Sequence, residues 1–213
     1  MTTVTLGEDL AAHSRAEATG HGEGGPSSKR VVVGYGFWLF MLSDIVMFSA
    51  FFAAHAVLQN ATDGGPSAAD LFHRKDVAIE TAFLLVSSFT CGLASVAVGA
   101  RSLWWTQGWL FVTGILGFGF LDFEVDEFRR LIADGAGPQR SAFLSSFFAL
   151  VGCHGAHISV GLLWLGTMMA QISAKGFRPN ILRRMLCFNL FWHMLDIVWV
   201  AIFTLVYLVG EAV

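Results

Sequence analysis

Five stretches of this chain are each long and apolar enough to cross a hydrocarbon core about 30 Å thick, a distance that takes about 20 helical residues. They run over about 34–58, 77–100, 104–123, 142–172 and 185–209. In hydrocarbon every backbone N–H and C=O must find its partner within the segment, so a span of this kind is a helix. The expected fold is therefore all-α: an integral membrane protein with five transmembrane helices in a bundle. Only 14% of residues are charged, against roughly 25% in a soluble domain. A net charge of -3 without a basic stripe argues against nucleic acid as a partner, since phosphates must be neutralised by Lys and Arg. Cys91, Cys153 and Cys187 lie singly in apolar runs without CxxC spacing, so they read as small core residues rather than a disulfide or metal framework.

Residues 1–30 are polar, rich in Gly, Ser and Ala and of mixed charge. Such a segment buries too little apolar area to offset its chain entropy and is expected to be a disordered polar tail on the cytoplasmic side. It has no basic start followed by a short apolar core and a small-residue cleavage site, so a removable signal peptide is not expected. Residues 31–213 then form the five-helix membrane domain, and DFEVDEFRRLIADG is expected to carry the third helix beyond the bilayer. With the tail inside, inner flanks hold eight Lys and Arg residues and outer flanks five. This bias favours a cytoplasmic N-terminus and, after five spans, a periplasmic C-terminus. The loop KGFRPNILRR, with four cations and no acid, is the clearest part of that signal. There is no internal repeat of the kind inverted-repeat transporters carry.

Charged groups at membrane depth cost about 2.5–3.5 kcal/mol each on insertion scales, so each needs a protein partner or a function. Here they are Asp44, Glu80, Asp122, Glu124, His154, His157, His193 and Asp196. His154 and His157 lie three residues apart in GCHGAHISVG, as do His193 and Asp196 in WHMLD, so each pair shares a helical face. Two readings stand side by side. The four form an intramembrane zinc site of a hydrolase, or they are interhelical hydrogen-bonding groups set among glycines that allow close packing. Neither HExxH nor a separate general base supports the hydrolase. Asp44 in MLSDIVMFS reads as a proton-handling group, as a gate to a neighbouring subunit, or as a carboxyl bonded to Ser or a lipid head group. A proton channel built on Asp44 and Glu80 is a further alternative. Glu80 and Glu124 lie nearer the outer boundary, where a solvated or ion-paired carboxylate is expected, with Arg129, Arg130 and Arg140 close in sequence to DFEVDEF. The seven Trp and 20 Phe residues either fill gaps and form the interfacial belt, as Trp104, Trp105 and Trp109 suggest, or line a lipid or quinone site.

Taken together, FWLFMLSDIVMFSAFF, DFEVDEF, GPQRSAFLSSFFALVGCHGAHISVG and FWHMLDIVWVAIFTLVYLVG resemble subunit III of the haem–copper respiratory oxidases over nearly everything after Arg30. The patterns GxHGxHxxxG and WHxxDxVW, in this order and after an acidic residue in the first span, carry the resemblance. Five spans rather than seven, with no apolar stretch before the first, resemble the five-helix form of the bo-type ubiquinol oxidases. The resemblance implies a non-catalytic subunit of a proton-pumping terminal ubiquinol oxidase in a bacterial plasma membrane. It would stabilise subunit I and hold phospholipids, with haems and copper in subunit I and no cofactor or metal in this chain. Expected partners are subunit I, the other oxidase subunits and membrane lipids. Asp44 falls where the family carries a membrane carboxyl, usually Glu, that carbodiimides reach; here the side chain is one methylene shorter. Asp44, Glu80, Glu124, His154, His157, His193 and Asp196 are assigned to a buried polar network or to lipid contacts. A cytochrome c oxidase or a nitric-oxide-reductase-associated relative is the nearest alternative within the family.

Overall fold

A computed structural model describes residues 29–64 and 74–208. Five helices account for most of them: α1 (Lys29–Leu58), α2 (Arg74–Gly99), α3 (Leu103–Ala133), α4 (Ala142–Lys175) and α5 (Pro179–Ile202). A π-helical segment, Phe203–Leu208, continues α5. All five helices are long and apolar enough to cross a membrane, and there is no strand among the described residues. The protein is an all-α, multi-pass membrane protein. The polar stretch 1–30 lies outside the described residues except for its last two positions, which are the first turn of α1. Contacts divide the chain into two units, Met1–Leu39 and Phe40–Val213. The first holds the start of α1, from Lys29.

Within that second unit α2, α3, α4 and α5 pack as a ring in which each helix touches the one before and the one after, and α5 closes back on α2. The turns explain why neighbours in sequence are neighbours in space. Between α2 and α3 the chain reverses in three residues, with Arg101 at φ 53° and its turn closed by Ser102 N–H donating to Ala97 O. Between α4 and α5, Gly176 at φ 65° ends one helix, and Pro179 starts the next. A proline lacks only an N–H that the first turn leaves unpaired anyway. That placement corrects the expectation of a longer loop: Arg183 and Arg184 lie inside α5, and the connection is only Gly176 to Arg178. Likewise α3 is one 31-residue helix through DFEVDEFRRLIA.

Without water to expel, helices in a bilayer are held by close packing and interhelical hydrogen bonds. The indole of Trp192 on α5 supplies both. It is 1% exposed and lies between Gly117 of α3 and Gly161 of α4, where an added Cβ would stand 3.0 Å from its ring at either position. Its Nε1–H donates to Ser87 Oγ on α2 at 3.2 Å. One side chain thus ties α5 to the three other helices of the ring. The residues of α1 from Phe40 onward lie against α4. Phe48 meets His157 at 5.3 Å between ring centroids, and His55 reaches Ser146 at 3.0 Å.

Candidate functional site

The polar groups of the second unit sort into separate places, each set by the helices that present them. α2 offers a strip of hydroxyls that face α5. Thr81 Oγ1–H donates to Val77 O and Ser87 Oγ–H to Leu84 O, so each hydroxyl has only its lone pairs left for another helix. Two indoles take them: Trp192 on Ser87, and Trp199 on Thr81 at 3.1 Å. Further along, Ser88 Oγ stands 2.6 Å from His193 Nδ1, and Asp196 lies within electrostatic range of that imidazole. The hydroxyl and the imidazole clasp α2 to α5.

The two histidines of α4 do different things. His157 Nδ1 donates to Cys153 O, 2.8 Å away on its own helix. His154 is wholly buried, stacked on Trp199 at 5.3 Å and edge-on to Phe120 at 5.8 Å and Phe48 at 6.4 Å. Neither of its ring nitrogens has a hydrogen-bond partner among the described residues. Asp44 of α1 is nearly buried and lies within electrostatic range of Cys153 of α4, with Oδ2 unbonded among the described residues. Of the four side chains weighed as a zinc set, His154 is sheathed in aromatic rings, His157 is bonded within α4 and His193 is held by Ser88 of α2. No group of three or more His, Cys, Asp or Glu among the described residues is arranged to hold a metal ion.

Glu80 and Glu124, expected to be solvated or ion-paired, are 1% and 2% exposed and so are not solvated, and Glu124 is turned into α4 over Gly155, where an added Cβ would collide with its carboxylate. This is why a glycine must follow His154. Glu127, one turn on from Glu124, is also buried and accepts from the Tyr207 hydroxyl at 3.0 Å. Tyr207 lies within electrostatic range of Glu80 and Glu124 as well, so α2, α3 and the π-helical segment share one acidic cluster. Of the arginines considered as partners, Arg130 faces Asp126 at 3.5 Å on the outside of α3. Sequence reading missed Glu127, Tyr207, Ser88 and the buried His55. Only Glu127 had a signal, its i, i+3 spacing from Glu124; the others depend on which helices meet.

With this geometry in place, comparisons with known proteins are informative. The family model described as cytochrome c oxidase subunit III matches residues 9–211. The chain is 47% identical over 210 residues to the cytochrome bo(3) ubiquinol oxidase subunit 3 of Pseudomonas aeruginosa, covering 99% of each. It is 50% identical over 175 residues to the protein of the same name from Pseudomonas putida, covering 82% of this chain and 84% of that one. The quinol oxidase subunit 3 of Bacillus subtilis is 42% identical over 175 residues, with 82% and 86% covered.

Proposed function

Because this chain belongs to the cytochrome c oxidase subunit III family, we propose that it serves as the non-catalytic subunit III of a proton-pumping ubiquinol oxidase, packed against the subunit that holds the haems and copper. The observation that carries this reading is the match along 99% of a relative named for that role. The side-chain geometry supports it. Among the described residues, Ser87, Ser88 and Thr81 of α2 join Trp192, His193 and Trp199 of α5, helix to helix. The haems and copper are expected in subunit I; in this chain the fully buried His154 packs among Trp199, Phe120 and Phe48.

In this role the chain works by occupancy. Its helices cover one flank of subunit I, and phospholipids held beside them keep that flank ordered while quinol is oxidised and oxygen reduced elsewhere in the complex. The N-terminus is cytoplasmic and the C-terminus periplasmic, supported by the cations at Lys175, Arg178, Arg183 and Arg184 around the α4–α5 turn and the tendency of such loops to stay inside. The direct test is purification of the complex in mild detergent through a tag on this chain. Copurification of subunit I with quinol-dependent, cytochrome-c-independent oxygen uptake is the expected result. A preparation that lacks subunit I, or that oxidises cytochrome c instead, contradicts the reading.

A further inference from the structure

Glu124 is enclosed on every side by protein. Its carboxyl lies in the notch over Gly155, the residue of α4 that follows His154, and Oε2 has no hydrogen-bond partner among the described residues. The groups that face this place from the elements packed around it are acids, a phenol and an imidazole. Glu127 of the same helix acts on Glu124 electrostatically. Glu80 of α2 and Glu127 are both buried, and Tyr207 of the π-helical segment lies within electrostatic range of all three acids. His154 of α4 is edge-on to Phe120, one turn before Glu124, and stacked on Trp199 of α5. Arg130 of α3 reaches Asp126 on the outside of that helix. An enclosed carboxyl given neither a cation nor a donor neutralises itself rather than stay ionised, and a second acid nearby works in the same direction. Of the two acids on α3 the proton belongs on Glu124. The Tyr207 hydroxyl donates to Glu127 at 3.0 Å, and a donated hydrogen bond favours the ionised form of the acid that accepts it.

We propose that Glu124 is a proton-binding site, a carboxylic acid that keeps its proton while α3 is closed on α4 at Gly155 and whose ionisation loosens that contact. The notch admits a neutral carboxyl. Ionised, the same group places a charge beside Glu127 and Glu80 in a space closed to water. The fold is thereby tied to pH, and the direction follows from counting protons. In the unfolded chain a glutamate titrates near its ordinary value of about 4.3. Above that value the folded chain holds one proton more than the unfolded one, so raising the pH weakens the fold by up to about tenfold per pH unit in its equilibrium constant. The loss stops growing once Glu124 gives up its proton in the folded protein. A metal ion is a poorer occupant, since no three such side chains among the described residues are arranged to hold one. The site belongs to this chain alone, whichever donor the complex oxidises.

The test uses material purified in mild detergent through a tag on this chain, wild type beside Glu124→Gln, which keeps the shape of the side chain but cannot ionise. The infrared difference between the two is expected to show the carbonyl stretch of a protonated carboxyl, shifted by exchange into heavy water and missing from the variant. Retention of folded chain after heating is expected to fall in the wild type as the pH is raised from the ordinary carboxyl range past neutrality, by up to about tenfold per unit. Glu124→Gln should lack that part of the profile. If this variant does not assemble, Glu127→Gln decides. It removes the neighbouring charge, so the protonated band should bleach at a lower pH than in the wild type. A spectrum without the band, or a retention profile that Glu124→Gln leaves unchanged, overturns the proposal. So does a Glu127→Gln band that bleaches at the wild-type pH or above. A profile that moves with sodium, potassium or calcium at fixed ionic strength assigns the place to a cation and overturns it as well. None of these readouts involves quinol or cytochrome c, so their failure leaves the subunit assignment standing.

Discussion

Gly155 and Glu124 form a pair in which each explains the other. The glycine leaves room over α4 for a carboxylate that would otherwise have no place in the interior, and the carboxylate fills what would otherwise be a void. Gly155→Ala should cost about 1–3 kcal/mol, the usual penalty for forcing a methyl into a packed interior. Combined with Glu124→Ala it should cost less than the sum of the two, since the collision is gone; melting of the purified complex measures both. A strictly additive result would mean that the two side chains do not touch. Trp192→Phe keeps most of the packing but deletes the donor to Ser87. It should lower stability by about 0.5–1.5 kcal/mol, the net worth of one hydrogen bond, in the same measurement. The histidines were readable as helix-facing pairs from spacing alone. What each nitrogen does was not, because that depends on whether the neighbour is a carbonyl, a hydroxyl or an aromatic face.

At the level of helices, length and hydropathy were enough to place all five spans, since hydrocarbon leaves the chain so few options. Their ends were harder. Pro179 was assigned to a loop although it is a favoured first helical residue, whereas the acidic end of α3 was expected to stay helical and does, with Glu124 and Glu127 turned inward while Asp126 and Arg130 face out. The last turn of the final span was the least legible. A π-helical stretch closes on the fifth residue instead of the fourth, so ordinary helical phasing does not indicate that Tyr207 points at Glu127. Tyr207→Phe tests this directly. It removes one donor to the buried Glu127 carboxylate, and should destabilise the complex by about 0.5–1.5 kcal/mol with no change in the haem spectrum. A neutral effect would place the hydroxyl elsewhere. The pairing of Ser88 with His193 was equally invisible in one dimension, since the two are 105 positions apart.

For the molecule as a whole, the described interior joins helix to helix, and the role proposed for it lies in the complex the chain would complete. A subunit that only covers and orders its neighbour affects how long the enzyme lasts before it affects how fast the enzyme runs. The decisive measurement is quinol-driven oxygen uptake followed through many turnovers in complexes purified with and without this chain. The expected outcome is the same initial rate and haem spectrum in both, with the complex lacking the chain losing activity progressively as it turns over. A lower initial rate per haem, loss of a haem or copper signal together with the chain, or an undiminished lifetime in its absence would contradict a purely supporting role.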